Sequence, residues 1–205
     1  MNTTVIDHAR GGRLDPSAMH NMFRLRHNVF FQRLRWAVTS RKGLERDHYD
    51  DLDPVYIVSR GQGRQVTGCV RLLPTTGEYM LRDTFPQLLA GEEAPSSPDI
   101  WDISRLAVDR PSASSRQAAD SINRVTVDLV VGVLDHALEN GIDRYVAVVS
   151  VALERILRRL GLPIRRFGHG KSQWVGDTLS VAIWIDVNEH NRNTIAARNS
   201  QRRAA

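Results

Sequence analysis

Midway along the chain, residues Asp99 to Arg110 read DIWDISRLAVDR, apolar enough for a buried strand yet carrying Asp102, Ser104 and Arg105. Strand alternation puts Asp102 and Ser104 on one face and Arg105 on the other, with Ile103. A buried charge is costly unless it is paired. The three polar residues therefore mark either a site or an ion-pair lock. A second anomaly lies upstream, where Met19, Met22, Phe23, Val29, Phe30 and Leu34 form one helical stripe that also contains Arg26 and Arg33. An arginine beneath Phe23 and Phe30 must find a carboxylate or a ligand, or snorkel out along its stem. Candidate partners stand nearby in sequence as Glu45, Asp47, Asp50, Asp51 and Asp53. A calcium loop counted from Asp47 would need glycine and glutamate where Leu52 and Val58 stand. The acids are thus a solvated loop, or they pair with Arg26, Arg71 and Arg105, or they hold a cationic ligand.

Other chemistries find no support. Cys69, the single cysteine, has no histidine beside it in sequence and reads as a small buried hydrophobe. There is no G-x-S-x-G elbow, no H-E-x-x-H or other metal-ligand spacing, and no glycine-rich phosphate loop. A single cysteine excludes an intramolecular disulfide and fits a cytoplasmic protein. No segment has the run of apolar residues that a membrane span needs, and the amino terminus lacks a secretory h-region. Lys and Arg number 28 against 23 acidic residues, a net charge of +5. An anionic partner is therefore worth weighing, but zinc-finger spacing, an RNP-like strand and a helix-turn-helix are all missing, so nucleic acid is not expected.

The elements that must position these residues follow from periodicity. Asp15 and Pro16 read as an N-cap with proline in the first turn, opening a helix that runs to about Arg35. Residues 36–54 are irregular and long for a connection. VYIVS and QVTGCVRLLP read as a hairpin around Gly61 and Gly63, and DTFPQLLAG as a short amphipathic turn. After the Asp102 strand and a polar loop, a helix runs from about Ala118 to Asn140 with Ile122, Val125, Leu129, Val133 and Leu134 as its stripe. RYVAVVSV is apolar throughout, as a strand covered on both faces would be. A short helix follows, then strands around IRRFG and TLSVAIWIDV. This order predicts an α/β fold with a mixed, mostly antiparallel twisted sheet and helices on both faces. Residues 1–187 read as one domain and 188–205 as a polar, basic C-terminal tail, frayed or weakly helical.

Four blocks then fit one pattern: FRLRHNVFFQRLRW, GLERDHYDDLDPVYIV, GCVRLLPTTGEYML and IWDISRLAV. In order and separation they resemble the acyl-homoserine-lactone synthases, the autoinducer synthases of bacterial quorum sensing, densely over Phe23 to Val108 and more loosely to about Val187. The resemblance implies an N-acetyltransferase-like fold and acylation of S-adenosylmethionine by an acyl thioester, followed by lactonisation and release of methylthioadenosine. S-adenosylmethionine is then a substrate, and no cofactor or metal is implied. Carried over, the family's charged and aromatic set falls on Arg71, Asp102 and Arg105 as catalytic residues. Arg26, Phe30, Trp36, Asp47 and Asp50 fall in the S-adenosylmethionine pocket. Asp47 and Asp50 either hold the cation directly or lock the arginines around it, while Phe30 and Trp36 offer cation–π faces. The position of Asp102 is usually glutamate in this family, so its side chain is one methylene short for a base.

The resemblance also places the acyl pocket on the RYVAVVSV strand, at Val146, Val148 and Ser150. There Ser150 is the lone candidate donor for a 3-oxo carbonyl, so an unsubstituted chain is expected. The missing phosphate loop, together with Arg155, Arg158 and Arg159 on one helix face and Arg165, Arg166 and Lys171 beyond, favours acyl carrier protein over acyl-CoA as donor. The rival readings are an N-acyltransferase for another amine and, outside enzymes, a basic nucleic-acid-binding module.

Overall fold

The computed structural model describes residues 2–7, 15–61, 65–110 and 116–204. Gly63 and the polar loop at 111–115 lie outside the described residues, as does the side chain of Ile122. Among the described residues ten strands and five α-helices are arranged as β1 (Asn2–Asp7), α1 (Pro16–Arg26), β2 (Ser40–Arg41), β3 (Leu44–Glu45), β4 (Val55–Arg60) and β5 (Val66–Pro74), then α2 (Met80–Asp83), β6 (Ile100–Val108) and α3 (Arg116–Asn140). The chain continues with β7 (Arg144–Ser150), α4 (Val151–Leu160), β8 (Ile164–Arg166), β9 (Gln173–Val175), β10 (Thr178–Asp186) and α5 (Glu189–Ala204). The main sheet has the order β1-β4-β5-β6-β7-β10-β8, with β9 pairing β10. Only the β6–β7 contact is parallel among its registers; the rest are antiparallel. The expected mixed sheet is therefore present, with α1 and α2 on one face and α3 and α4 on the other.

Local sequence explains how each face is covered. Asp15 Oδ1 accepts from Ala18 N at 2.8 Å with Pro16 in the first turn, so α1 starts where a cap and a proline direct it. From His27 to Arg33 the winding widens to a π-helix, closed by Leu34 N donating to Val29 O at 2.9 Å. That widening corrects the stripe. Arg33, expected beneath Phe30, is exposed, and its Nη1 lies 3.4 Å from Val108 O. On the opposite face α3 lies directly against β5, because Gly68 leaves room that a Cβ would fill, 2.6 Å from Val125 Cγ1.

Several elements depart from the sequence reading or sharpen it, β9 (Gln173–Val175) among them as a strand that was not expected. β1, which no pattern signalled, pairs β4 from Asn2↔Arg60 to Asp7↔Val55. The irregular segment contains the β2–β3 hairpin, whose turn residues Lys42 and Gly43 both have positive φ (52° and 75°), the signature of a type I′ turn. The basic tail is helical: α5 buries Ile195 to 1 % exposure and ties Arg192 Nε to Asp135 Oδ1 of α3 at 2.6 Å.

Candidate active site

The β2–β3 hairpin sets Glu45 at the centre of the α1 face. A 3-10 turn, His48–Asp51, follows, with Asp47 as its N-cap: the Asp47 N–H donates to Asp50 Oδ2 at 2.9 Å and the Asp47 side chain accepts from the Asp50 N–H, a capping box. Asp47 and Asp50 thereby point at the same interior as Glu45. The three acids meet three arginines there: Arg26 from α1, Arg71 from β5 and Arg105 from β6.

Arg105 reaches this interior through a bulge. The β5–β6 register shifts between Cys69 and Arg71, and Arg105 sits at φ 54°. One extra residue flips the alternation, so Arg105 lies on the face of Asp102 and away from Ile103. Simple alternation placed it on the other face, and the bulge corrects that.

The six charges close a ring. Arg26 donates from Nε to Glu45 Oε2 at 2.5 Å and from both Nη atoms to Asp50 at 2.7 and 2.8 Å. Arg71 Nη1 bonds Asp50 Oδ1 at 2.9 Å and Asp47 Oδ1 at 2.5 Å. Arg105 completes the circuit from Asp47 Oδ2 at 2.7 Å to Glu45 Oε1 at 3.0 Å. Three positive and three negative charges cancel in a site where Arg26, Glu45, Asp50 and Arg71 side chains are fully buried. Burial pushes the Asp50 carboxyl upward, but the bonds and charge of Arg26, then the charge of Arg71 and the Tyr56 hydroxyl at 2.6 Å, hold it well below the usual carboxylate range. Each guanidinium also rests on an aromatic ring: Arg26 on Phe23, Arg71 on Tyr49 and Arg105 on Phe30, 5.2 to 5.3 Å from the centroids.

The arrangement shows one of the two uses that the sequence left open. Asp47 and Asp50 are the lock on the arginines, with Asp50 fully buried and Asp47 12 % exposed. One face of Phe30 is taken by Arg105, and its ring stacks on Trp36 at 5.4 Å. Trp36 is half-buried and donates from Nε1 to Thr178 Oγ1 at 3.0 Å, tying the segment after α1 to β10. Asp51 instead pairs with Arg46 at the surface. Cys69 is buried, and burial pushes its thiol up to about 12, which leaves it inert.

Asp102 stands beside the ring and outside it. It is 1 % exposed; Oδ1 accepts from Leu81 N at a long 3.4 Å, and Oδ2 has no hydrogen-bond partner among the described residues. Burial raises its carboxyl to about 7, against the pull of the Arg71 charge and the Leu81 amide. Ser104, on the same face, accepts from Arg71 Nε at 3.1 Å.

Asp102 also lines a cavity of about 380 Å³. β6 and β7 pair only from Ile100↔Arg144 to Ile103↔Ala147 and then part, and the cavity passes through the gap. On the α1 face it is walled by Phe30, Trp36, Met80 and Asp102; on the α3 face, by Val133, Leu134 and Leu157. Val148 and Ser150 line it as expected. Val146 does not: it is fully buried in the cluster around Tyr79, Leu81 and Phe167, while its strand neighbours Tyr145 and Ala147 face the cavity instead. Ser150 caps α4, its Oγ accepting from Leu153 N at 3.1 Å.

The basic helix is less uniformly positive than its sequence. Arg155 and Arg159 are exposed on α4, but Arg158 donates to the buried Glu154 at 2.9 and 3.0 Å, and Arg166 to the same carboxylate at 2.6 and 2.9 Å. Arg165 is held by Glu92 at 2.6 Å.

Sequence reasoning named Glu45 only as one of five candidate acids and did not single out Tyr49, Tyr56, Met80 or Thr178. The Lys-Gly pair before Leu44 was the available signal for the hairpin that delivers Glu45. Among the described residues no group of three His, Cys, Asp or Glu could hold a metal ion, and no helix is long and apolar enough to cross a membrane.

The parted β6–β7 pair, with the buried Asp102 beside the parting, sits in a sheet of known outline. Its outline matches a putative N-acetyltransferase from Lactobacillus plantarum at TM-score 0.55 and 12 % identity, covering 90 % of this chain and 96 % of the other, a likeness of fold alone. The autoinducer synthase family model matches residues 13–195, and the chain belongs to that family. It is 39 % identical over 172 residues to the acyl-homoserine-lactone synthase of Aliivibrio fischeri, covering 84 % of this chain and 88 % of that one. The crystal structure of the synthase LasI superposes with TM-score 0.84 at 33 % identity, over 96 % and 94 % of the two chains. BjaI, a CoA-dependent synthase solved with S-adenosylmethionine and isopentyl-CoA, does so with TM-score 0.78 at 28 % identity, over 90 % and 82 %. The chain is thus an enzyme of the acyl-homoserine-lactone synthase class.

Proposed function

We propose that this enzyme acylates the α-amine of S-adenosylmethionine from a thioester and then closes the homoserine lactone. The observation that carries the reading is Asp102, a buried carboxyl raised to about 7 with one oxygen unpartnered, on the wall of a cavity that spans the sheet. An amine whose ordinary pKa is about 8 needs such a proton acceptor before it can attack. Asp102 takes one proton from the ammonium to free the nitrogen lone pair; as the nitrogen bonds the thioester carbon and the carbon–sulfur bond of the thioester breaks, its second proton passes to the departing sulfur, which leaves as the thiol. The substrate's own carboxylate then displaces the sulfonium sulfur, so that the carbon–sulfur bond breaks and neutral methylthioadenosine departs. No oxidant, metal or cofactor enters either step, and S-adenosylmethionine is consumed as a substrate. The neutral charge ring fixes the pocket wall, while Phe30 and Trp36 form its aromatic side. BjaI, solved with S-adenosylmethionine and isopentyl-CoA, supports this choice of substrates.

For the donor, acyl carrier protein is the first reading, supported by exposed Arg155 and Arg159 beside Arg158. Acyl-CoA is the second, favoured by the partial neutralisation of that patch by Glu154. The cytoplasm, where both donors and S-adenosylmethionine occur, is the proposed location. Purified protein given S-adenosylmethionine and saturated donors from butanoyl to hexadecanoyl should release methylthioadenosine and an acyl-homoserine lactone, read by mass spectrometry. An open-chain product, or no turnover with any donor, would overturn the reading.

A further inference from the structure

Strand β7 turns two different faces to the molecule: Val146 and Val148 toward the α1 side, and Tyr145, Ala147 and Val149 toward α3. Along β7 the cavity is lined by Tyr145 and every residue from Ala147 to Ser150, so Tyr145 is its last wall residue in the direction away from the strand split. Its cross-strand partner Ile185 is likewise the last β10 residue to line the cavity, whose wall also includes Leu157 and Leu162. The ring of Tyr145 is fully buried. Its hydroxyl donates to Val133 O at 3.1 Å and lies 3.3 Å from His136 Nδ1, whose ring meets Trp101 edge-on at 5.5 Å. The phenol is pinned into α3 by its oxygen, leaving its apolar ring as the cavity wall.

Resting on the acyl-transfer reading above, we infer that Tyr145 is the floor of the acyl cavity and sets the longest chain the enzyme accepts. The strands part next to Val148, three residues from Tyr145, a span of about 10 Å at strand rise. An extended chain advances about 1.2 Å per bond, so it meets the floor after about eight carbons. His136 and the Val133 carbonyl are positioning groups that hold the ring still. Ala147, one step toward the split on the same face, is where added bulk would raise the floor.

The experiment measures kcat/KM for saturated donors from butanoyl to hexadecanoyl with wild type, Tyr145→Phe, Tyr145→Ala and Ala147→Leu. Wild type and Tyr145→Phe should share an optimum near octanoyl, because both retain the ring. Tyr145→Ala should move the optimum outward by about four carbons, the length of the lost ring, and raise the dodecanoyl-to-octanoyl ratio at least tenfold, since each newly buried methylene is worth about fourfold. Ala147→Leu should move it inward, with the KM for S-adenosylmethionine unchanged in all three. Should Tyr145→Ala fail to fold, Ala147→Leu and the milder Tyr145→Leu carry the test. An unchanged chain-length profile in active variants overturns the floor and leaves the acyl-transfer reading standing. Absence of lactone from wild type with every donor overturns that reading instead.

Discussion

Asp50 and Asp102 lie on one face of one sheet, and both are buried to within 1 % of complete, yet their carboxyls are driven in opposite directions. Asp50 receives two bonds from Arg26 and one each from Arg71, Tyr56 and the Asp47 amide, and stays ionised far into acid. Asp102 receives one long amide bond from Leu81, with weaker pulls from Ser104 and the Met80 amide, and burial still raises it to about 7. Burial penalises the charged form of both; the hydrogen bonds and charges that replace water decide which carboxylate is structural and which is a proton acceptor. The ring achieves neutrality so that the one group beside it need not be neutralised.

Breaking the ring should produce the largest effect on folding. Asp50→Asn leaves Arg26 and Arg71 short of a counter-charge in a dry interior, and urea denaturation at pH 7 should show a loss of about 3 to 5 kcal/mol. The same ring gives acid lability. A carboxyl held below its unfolded value contributes stability above that value, 3.8 for Asp50, and loses it as the pH falls further.

Asp102 has the opposite sign. Its folded value lies above the unfolded one, so it takes up a proton on folding, and stability falls as the pH rises from about 4 to about 7 and is level beyond. Asp102→Asn removes that cost, a gain on the order of 4 kcal/mol at most at pH 8 that vanishes near pH 4. Turnover should nevertheless fall about 100-fold or more, with S-adenosylmethionine binding kept. Stability and activity moving in opposite directions at this residue, and together at Asp50, is the outcome the comparison requires; a near wild-type rate in folded Asp102→Asn would break it.

A finer test is the pH profile. The acylation rate should rise through about pH 7 in wild type as Asp102 ionises, and Asp102→Asn should lose that inflection. Smallest of all should be the effect of Arg155→Glu with Arg159→Glu, which should raise KM for a carrier-protein donor about threefold to tenfold, reduce its salt dependence, and leave the CoA donor unchanged. An unchanged KM for the carrier protein would remove α4 as its docking face.

Much of the site was legible because its residues offend local patterns. Asp102 inside an apolar strand and Arg26 on an apolar helical stripe are conspicuous without any structure, and the sheet with its covering helices follows from period-2 and helical spacing. Glu45 was visible only as one acid among five. Which carboxylate meets which guanidinium depends on a hairpin and a capping turn that bring residues up to 60 positions apart within hydrogen-bond distance. Arg105 was assigned to the wrong face because a bulge is a property of two strands paired together, and neither strand carries it alone.

Acyl-pocket residues divide in the same way. The apolar run RYVAVVSV declares a covered strand, but alternation cannot say which face borders empty space, since that depends on where β6 and β7 stop pairing. Hence Val146 was expected at the cavity and Tyr145 is found there. The positive charge of α4 was likewise readable, while its reduction by Glu154 and the docking of α5 through Ile195 were not. The sequence by itself determined residue chemistry, periodicity and therefore the elements, because these are set by neighbours within a few positions. Pairing of charges, register and the shape of the cavity were decided only by tertiary structure, because Coulomb energy and desolvation depend on distances in space that chain separation does not constrain.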